Sequence, residues 1–103
     1  MTIDDLALIF VRGVGPRTIT HLIELYGSAE EVYSATKEDL MERGGLRSEI
    51  AERIVRRDGF IAAYREADYC RKHQIRLLAA TDDTYPELLR EVCDRPHVLF
   101  VRG

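Results

Sequence analysis

Apolar positions recur at helical spacing over the first 58 residues, and the breaks in that spacing fall on glycine and proline. Leu6, Leu8, Ile9 and Phe10 mark a first helix over Asp4 to Phe10, with Asp4 or Asp5 placed to cap it. Gly13, Gly15 and Pro16 then end it. Two glycines one residue apart and a proline suit a tight turn followed at once by a new helix, with Pro16 in the first turn, where a missing N–H costs nothing. The second helix runs from about Pro16 to Tyr26, carries Ile19, Leu22, Ile23 and Leu25, and stops at Gly27. Ser28-Ala29-Glu30-Glu31 has the form of a capping box and opens a third helix with Val32 and Tyr33. Thr36-Lys37-Glu38-Asp39 opens a fourth in the same way, with Leu40 and Met41 as its apolar face. Gly44-Gly45 breaks the chain again, and Ser48 to about Arg57 forms a fifth helix with Ile50, Ala51, Ile54 and Val55 inward.

The fourth and fifth helices repeat the first and second at an offset of 32 residues, which sets Gly13 on Gly45. Val14 then falls on Leu46, Ile19 on Ala51, Leu22 on Ile54 and Leu8 on Leu40. Each copy reads as helix, short hairpin, helix, and two such units can close one core that a single unit could not bury. The second copy departs from the first at one telling place: Arg47 stands where the first has Gly15.

After Asp58-Gly59 the pattern changes. Phe60, Ile61, Ala63, Tyr64, Ala67 and Cys70 give a helix over Phe60 to His73. Gln74 to Ala79 reads as a strand, Glu87 to Cys93 as a short helix between turns, and His97 to Val101 as a second strand. The expectation is a β-α-β unit with too few strands to bury both faces of its sheet, and hence the opening of a longer protein. Its unpaired strand edges predict self-association.

Composition narrows the function. The 103 residues are 46% hydrophobic and 32% charged, with a net charge of −3 and a pI near 5.6. One small core is therefore available, without the basic field of a free-standing nucleic-acid binder. No apolar run approaches the ~18 residues that cross a membrane, and Met1-Thr2-Ile3-Asp4-Asp5 is the wrong start for a secretory signal. Two cysteines, Cys70 and Cys93, fit free thiols in a reducing cytoplasm. Cys70-x-x-His73 has ligand-like spacing but no second donor pair, so no metal is expected. No nucleophile array, phosphate-binding glycine fingerprint or supported carboxylate pair is present, so neither catalysis nor a cofactor is expected.

The candidate chemistry lies in the hairpins. Backbone N–H groups around Gly15 to Thr18 can hold a phosphate at the start of a helix, assisted by Arg12 and Arg17. A purely structural turn explains the same glycines, Gly13 included. Arg47, with Arg43 and Arg53 near it, offers a second and weaker version, because a side chain at position 47 hinders close backbone approach. Arg53, Arg56 and Arg57 also suit the C-terminal end of their helix.

The tail carries a resemblance. Asp82-x-x-Tyr85-Pro86-x-x-Leu89 followed by Asp94-x-Pro96-x-x-Leu99-Phe100-x-x-Gly103 resembles the segment that leads into the Rossmann-like domain of the DprA (Smf) family. The helical part resembles that family's SAM-like N-terminal domain, and equally the tandem hairpins of the UvrC C-terminus or the RuvA middle domain. The resemblance implies a mainly α chain. Residues 1–58 would form a tandem helix-hairpin-helix (SAM-like) bundle, and residues 59–103 a linking helix and the first β-α-β of an incomplete Rossmann-like domain. It also implies a cytoplasmic protein that binds single-stranded DNA in natural transformation and helps load the RecA recombinase. In such a protein the main DNA-binding surface lies beyond Gly103, and this piece adds weak, non-specific contacts through Arg12, Gly13, Gly15, Arg17, Thr18 and Arg47. The alternatives are a protein-interaction or scaffold module and a DNA-repair helix-hairpin-helix domain.

Overall fold

The computed structural model describes residues 1–102. Its first helix, α1 (Ile3–Leu8), begins one residue before the expected Asp4, and its cap is neither acid. Thr2 is the cap: its hydroxyl accepts from the Asp5 N–H, while the Asp5 carboxylate accepts from the Thr2 N–H at 2.9 Å. Asp5 is thus the returning half of a capping box, and it is buried. α1 ends at Leu8, which leaves Phe10 outside the helix and exposed. The following helices keep close to the sequence reading: α2 (Pro16–Tyr26), α3 (Ala29–Ser34), α4 (Lys37–Glu42) and α5 (Ser48–Val55). Ser28 and Thr36 cap α3 and α4 through their hydroxyls, and Gly27 closes α2 at φ 98° with its N–H donating to the Ile23 carbonyl at 2.7 Å.

The internal repeat is real in three dimensions. α2 starts at Pro16 and α5 at Ser48, the same offset of 32 that the sequence shows. Both preceding turns pass through left-handed backbone, at Gly13 (φ 92°) and Gly45 (φ 70°). The paired positions Leu8 and Leu40, Ile19 and Ala51, and Leu22 and Ile54 are all buried in one cluster with Leu6, Val11 and Val32. The copies touch at their turns: a Cβ on Gly13 would lie 2.9 Å from the Ile50 side chain, and Arg53 donates to the Arg12 carbonyl at 2.8 Å. Met41 and Val55, expected inward, are exposed. Each lies next in sequence to a buried residue of its helix, Leu40 or Ile54, and so about 100° round the helix from it.

The longest helix, α6 (Phe60–Lys72), packs on α1 through Ala63, with Phe60 edge-on to Tyr33 at 4.9 Å. Ile61 and Tyr64 on the same helix point to solvent. Then come β1 (Ile75–Ala79), the one-turn helix α7 (Glu87–Arg90) and β2 (Val98–Arg102); Gly103, the last residue of the tail motif, lies outside the described residues.

The strands correct the β-α-β expectation, because they pair antiparallel, from Ile75 opposite Arg102 to Ala79 opposite Val98. A parallel crossover needs a helix comparable in length to the strand. A five-residue strand rises about 16 Å, whereas the four residues of α7 span about 6 Å. Residues 80–97 instead fold back on themselves. Asp82 accepts from the Ala79 N–H at 2.8 Å, Tyr85 is buried and donates to the Pro96 carbonyl at 2.6 Å, and Arg90 donates to the carbonyls of Ala80 and Asp82. The motif residues Asp82, Tyr85 and Pro96 therefore act as one brace for this connection. Two strands are marginal alone; here Val98 and Leu77 reach into the helical core.

Candidate nucleic-acid interface

The start of α2 combines three features that a phosphate contact needs. Gly15 caps it in extended conformation, is exposed, and has nothing within 4 Å of where a Cβ would stand. Pro16 has no N–H, and Ile19 donates to the Gly15 carbonyl at 3.0 Å, so the helix itself leaves the N–H groups of Arg17 and Thr18 to outside acceptors. No acidic side chain lies in this first turn. Arg12 and Arg17 flank it and are exposed, and Thr18 is half-buried. Gly13 serves the turn rather than the ligand, since its positive φ and its closeness to Ile50 fix where Arg12 emerges.

The second hairpin reproduces the backbone but not the chemistry. Arg47 caps α5 with no side-chain hydrogen bond, and Glu49 sits in the first turn, where its carboxylate answers the helix's positive end. Gly45 is as open as Gly15. Arg47 is exposed, but the other nearby arginines are committed elsewhere. Arg43 pairs with Asp39 at 3.2 Å and lies over the Tyr26 ring, and Arg53 holds the Arg12 carbonyl. Arg56 pairs with Asp58 at 2.8 Å, and Arg57 lies over the rings of Tyr33 and Phe60. Among the described residues, Arg12, Arg17 and Arg47 make no ion pair.

The acidity of buried groups follows their partners. Burial and the hydrogen bond to Asp39 push the Tyr26 hydroxyl up to about 12. Burial raises the Tyr33 hydroxyl further and also raises the Cys70 thiol, which faces Glu66. Cys70 is thus a protonated core thiol, while His73 is exposed and stacks on Tyr69 at 4.2 Å.

One buried pair escaped the sequence reading. His97 Nε2 lies 2.7 Å from an Asp5 carboxylate oxygen, with both side chains almost wholly enclosed. Burial alone would raise the Asp5 carboxyl; hydrogen bonds from His97 and Thr2 outweigh it and hold the group below its ordinary 3.8. This pair pins the segment before β2 onto α1. Beside it, Ile9, Val14, Pro16, Ile19, Pro96 and Val98 line an apolar groove of about 190 Å³ next to the first hairpin. No local pattern signals a contact between residues 92 positions apart.

Compared with known families, residues 5–57 match the SAM-like helix-hairpin-helix tandem. No curated protein and no solved structure matches the chain. Among the described residues, no helix is long and apolar enough to cross a membrane.

Proposed function

The chain belongs to the SAM-like helix-hairpin-helix tandem family, and from that premise we propose that its first hairpin grips a DNA backbone phosphate without reading sequence. The observation that carries this is the asymmetry between the two hairpins: open Gly15, two free N–H groups and two unpaired arginines on one, Arg47 and Glu49 on the other. The net charge of −3 makes the contact weak and salt-sensitive. The finer proposal is that the chain is the N-terminal part of a cytoplasmic DprA-like protein that holds single-stranded DNA and assists RecA loading, and that it binds without catalysing a reaction. The brace of Asp82, Tyr85 and Pro96 supports this, because the residues that carry the tail resemblance act together.

Fluorescence anisotropy of a labelled single-stranded oligonucleotide, titrated with the chain across a salt series, tests the contact. Arg12→Ala and Arg17→Ala should each weaken binding and lower the salt slope by about 0.7 per lost phosphate contact, with Arg47→Ala nearly silent. Equal, unchanged affinity in all three variants would remove the hairpin from the interface. A scaffold role is the second reading, favoured by the buried Asp5–His97 pair that docks the tail on the helical bundle. It is supported if DNA binding is absent while tail docking is intact.

A further inference from the structure

A second pocket lies on the other side of His97, between α2 and the connection of residues 80–97. It measures about 180 Å³ and is lined by Thr20, Ile23, Glu24, Thr81, Arg90 and Arg95 among others. Unlike the apolar groove, it gathers two guanidinium groups and two hydroxyls. Arg95 is its unusual member. Its side chain is only 19% exposed, yet its Nε is shielded from solvent and has no hydrogen-bond partner. Its remaining contacts are long: one terminal nitrogen reaches the Val92 carbonyl at 3.3 Å, the other a Glu24 carboxylate oxygen at 3.6 Å. A guanidinium withdrawn from water with an idle donor is unfavourable unless something fills it. Glu24 fills it poorly, because its side chain reaches in from solvent and is 70% exposed. Arg90, in the same lining, is tied to the carbonyls of Ala80 and Asp82, and among the described residues no carboxylate pairs with it.

We propose that this pocket binds a phosphate group, with Arg95 as the principal donor and Arg90, Thr20 and Thr81 as supporting groups. The planar fork of a guanidinium matches two phosphate oxygens, and the terminal nitrogens of Arg95, held only by long contacts, are the donors that can turn to them. Glu24 acts as the resident competitor that a phosphate displaces. The pocket stands whether or not the first hairpin contacts DNA. Arg17, Thr20 and Glu24 share one face of α2, so a strand held at the hairpin would run toward the pocket; only that source of the phosphate rests on the DNA reading.

The test is a pair of titrations of the ¹⁵N-labelled chain, with the Arg95 Nε–H and the Thr20 and Thr81 amides followed by NMR. Inorganic phosphate at constant ionic strength should shift these signals saturably, and chloride should not. Glu24→Gln should tighten phosphate about three-fold by removing the competing carboxylate. Arg95→Lys, which keeps the charge and loses the fork, should weaken it about tenfold. A single-stranded oligonucleotide that moves the same signals in competition with phosphate identifies the source as a DNA backbone. An oligonucleotide that leaves them unmoved identifies a free phosphate group. Arg17→Ala separates the two ideas, since it should leave the phosphate titration unchanged even where it weakens DNA binding. Absence of a saturable phosphate shift in both the parent chain and Glu24→Gln would overturn the proposal.

Discussion

At Gly13 and Gly45 the chain turns through the same left-handed backbone, and α2 and α5 leave those turns in matching register, yet the two helix starts offer opposite chemistry. In the first copy Gly15 leaves open space and the first turn carries no acid; in the second Arg47 and Glu49 occupy the same ground. The repeated part is what the shared core needs: Leu8 with Leu40, Ile19 with Ala51, Leu22 with Ile54. The part that differs faces solvent. A duplicated unit therefore keeps its packing positions because each copy completes the other's core, while its exposed turn is free to gain or lose a ligand. The tail adds a further asymmetry, because His97 and Val98 brace the first copy through Asp5 and the core.

The largest expected effect comes from breaking that brace. Asp5→Asn should lower stability by about 4 kcal/mol, as for a buried pair that loses one charge, measured by chemical denaturation near neutral pH. The Asp5 carboxyl is held below 3.8 when folded, so its stabilisation is complete above that pH and is lost as pH falls through the lower folded value. The acid limb of the stability profile below pH 3.8 should accordingly flatten in Asp5→Asn; an unchanged limb would mean that the pair is not what holds the tail. Next come the paired core positions. Leu22→Ala and Ile54→Ala should each cost about 3 kcal/mol, and a much smaller loss at Ile54 in thermal unfolding would show that the second copy packs loosely. The smallest effects are at the turns. Gly45→Ala meets open space and should cost about 1 kcal/mol for its left-handed backbone alone. Gly13→Ala adds a collision with Ile50 and should cost about 2 kcal/mol. Equal losses at the two would erase the difference in how tightly the hairpins are seated.

Local signals explain how much of this was legible in the sequence. Gly15-Pro16 and Gly27 bracket α2, and Ser28 and Thr36 start α3 and α4, because caps and helix breakers act within a few residues. Thr2 does not stand out as the cap because Asp4 and Asp5 are equally good caps by type, and only the burial of Asp5 assigns it a different task. Ile61, Tyr64 and Val55 fit the apolar spacing and yet face solvent, since spacing names a stripe without saying how wide a face the neighbouring elements cover. The antiparallel pairing of β1 and β2 depends on the path of residues 80–97, held by Tyr85 and Arg90, and composition does not encode that path. The hairpin arginines were legible as a set, but not which were free. Arg53 and Arg43 look like Arg12 and Arg17 in sequence and differ only in having found partners.

The bond between Asp5 and His97 also sets a sequence of events. It joins the first helix to the residue just before β2 across 92 positions, so forming it closes a long loop. Closing so long a loop is entropically unfavourable until most of the chain is already compact, whereas the hairpins close loops of a few residues. The helical bundle must therefore assemble first and the tail latch on last. During synthesis the two hairpins can therefore close before the residues that must find Asp5 have been made.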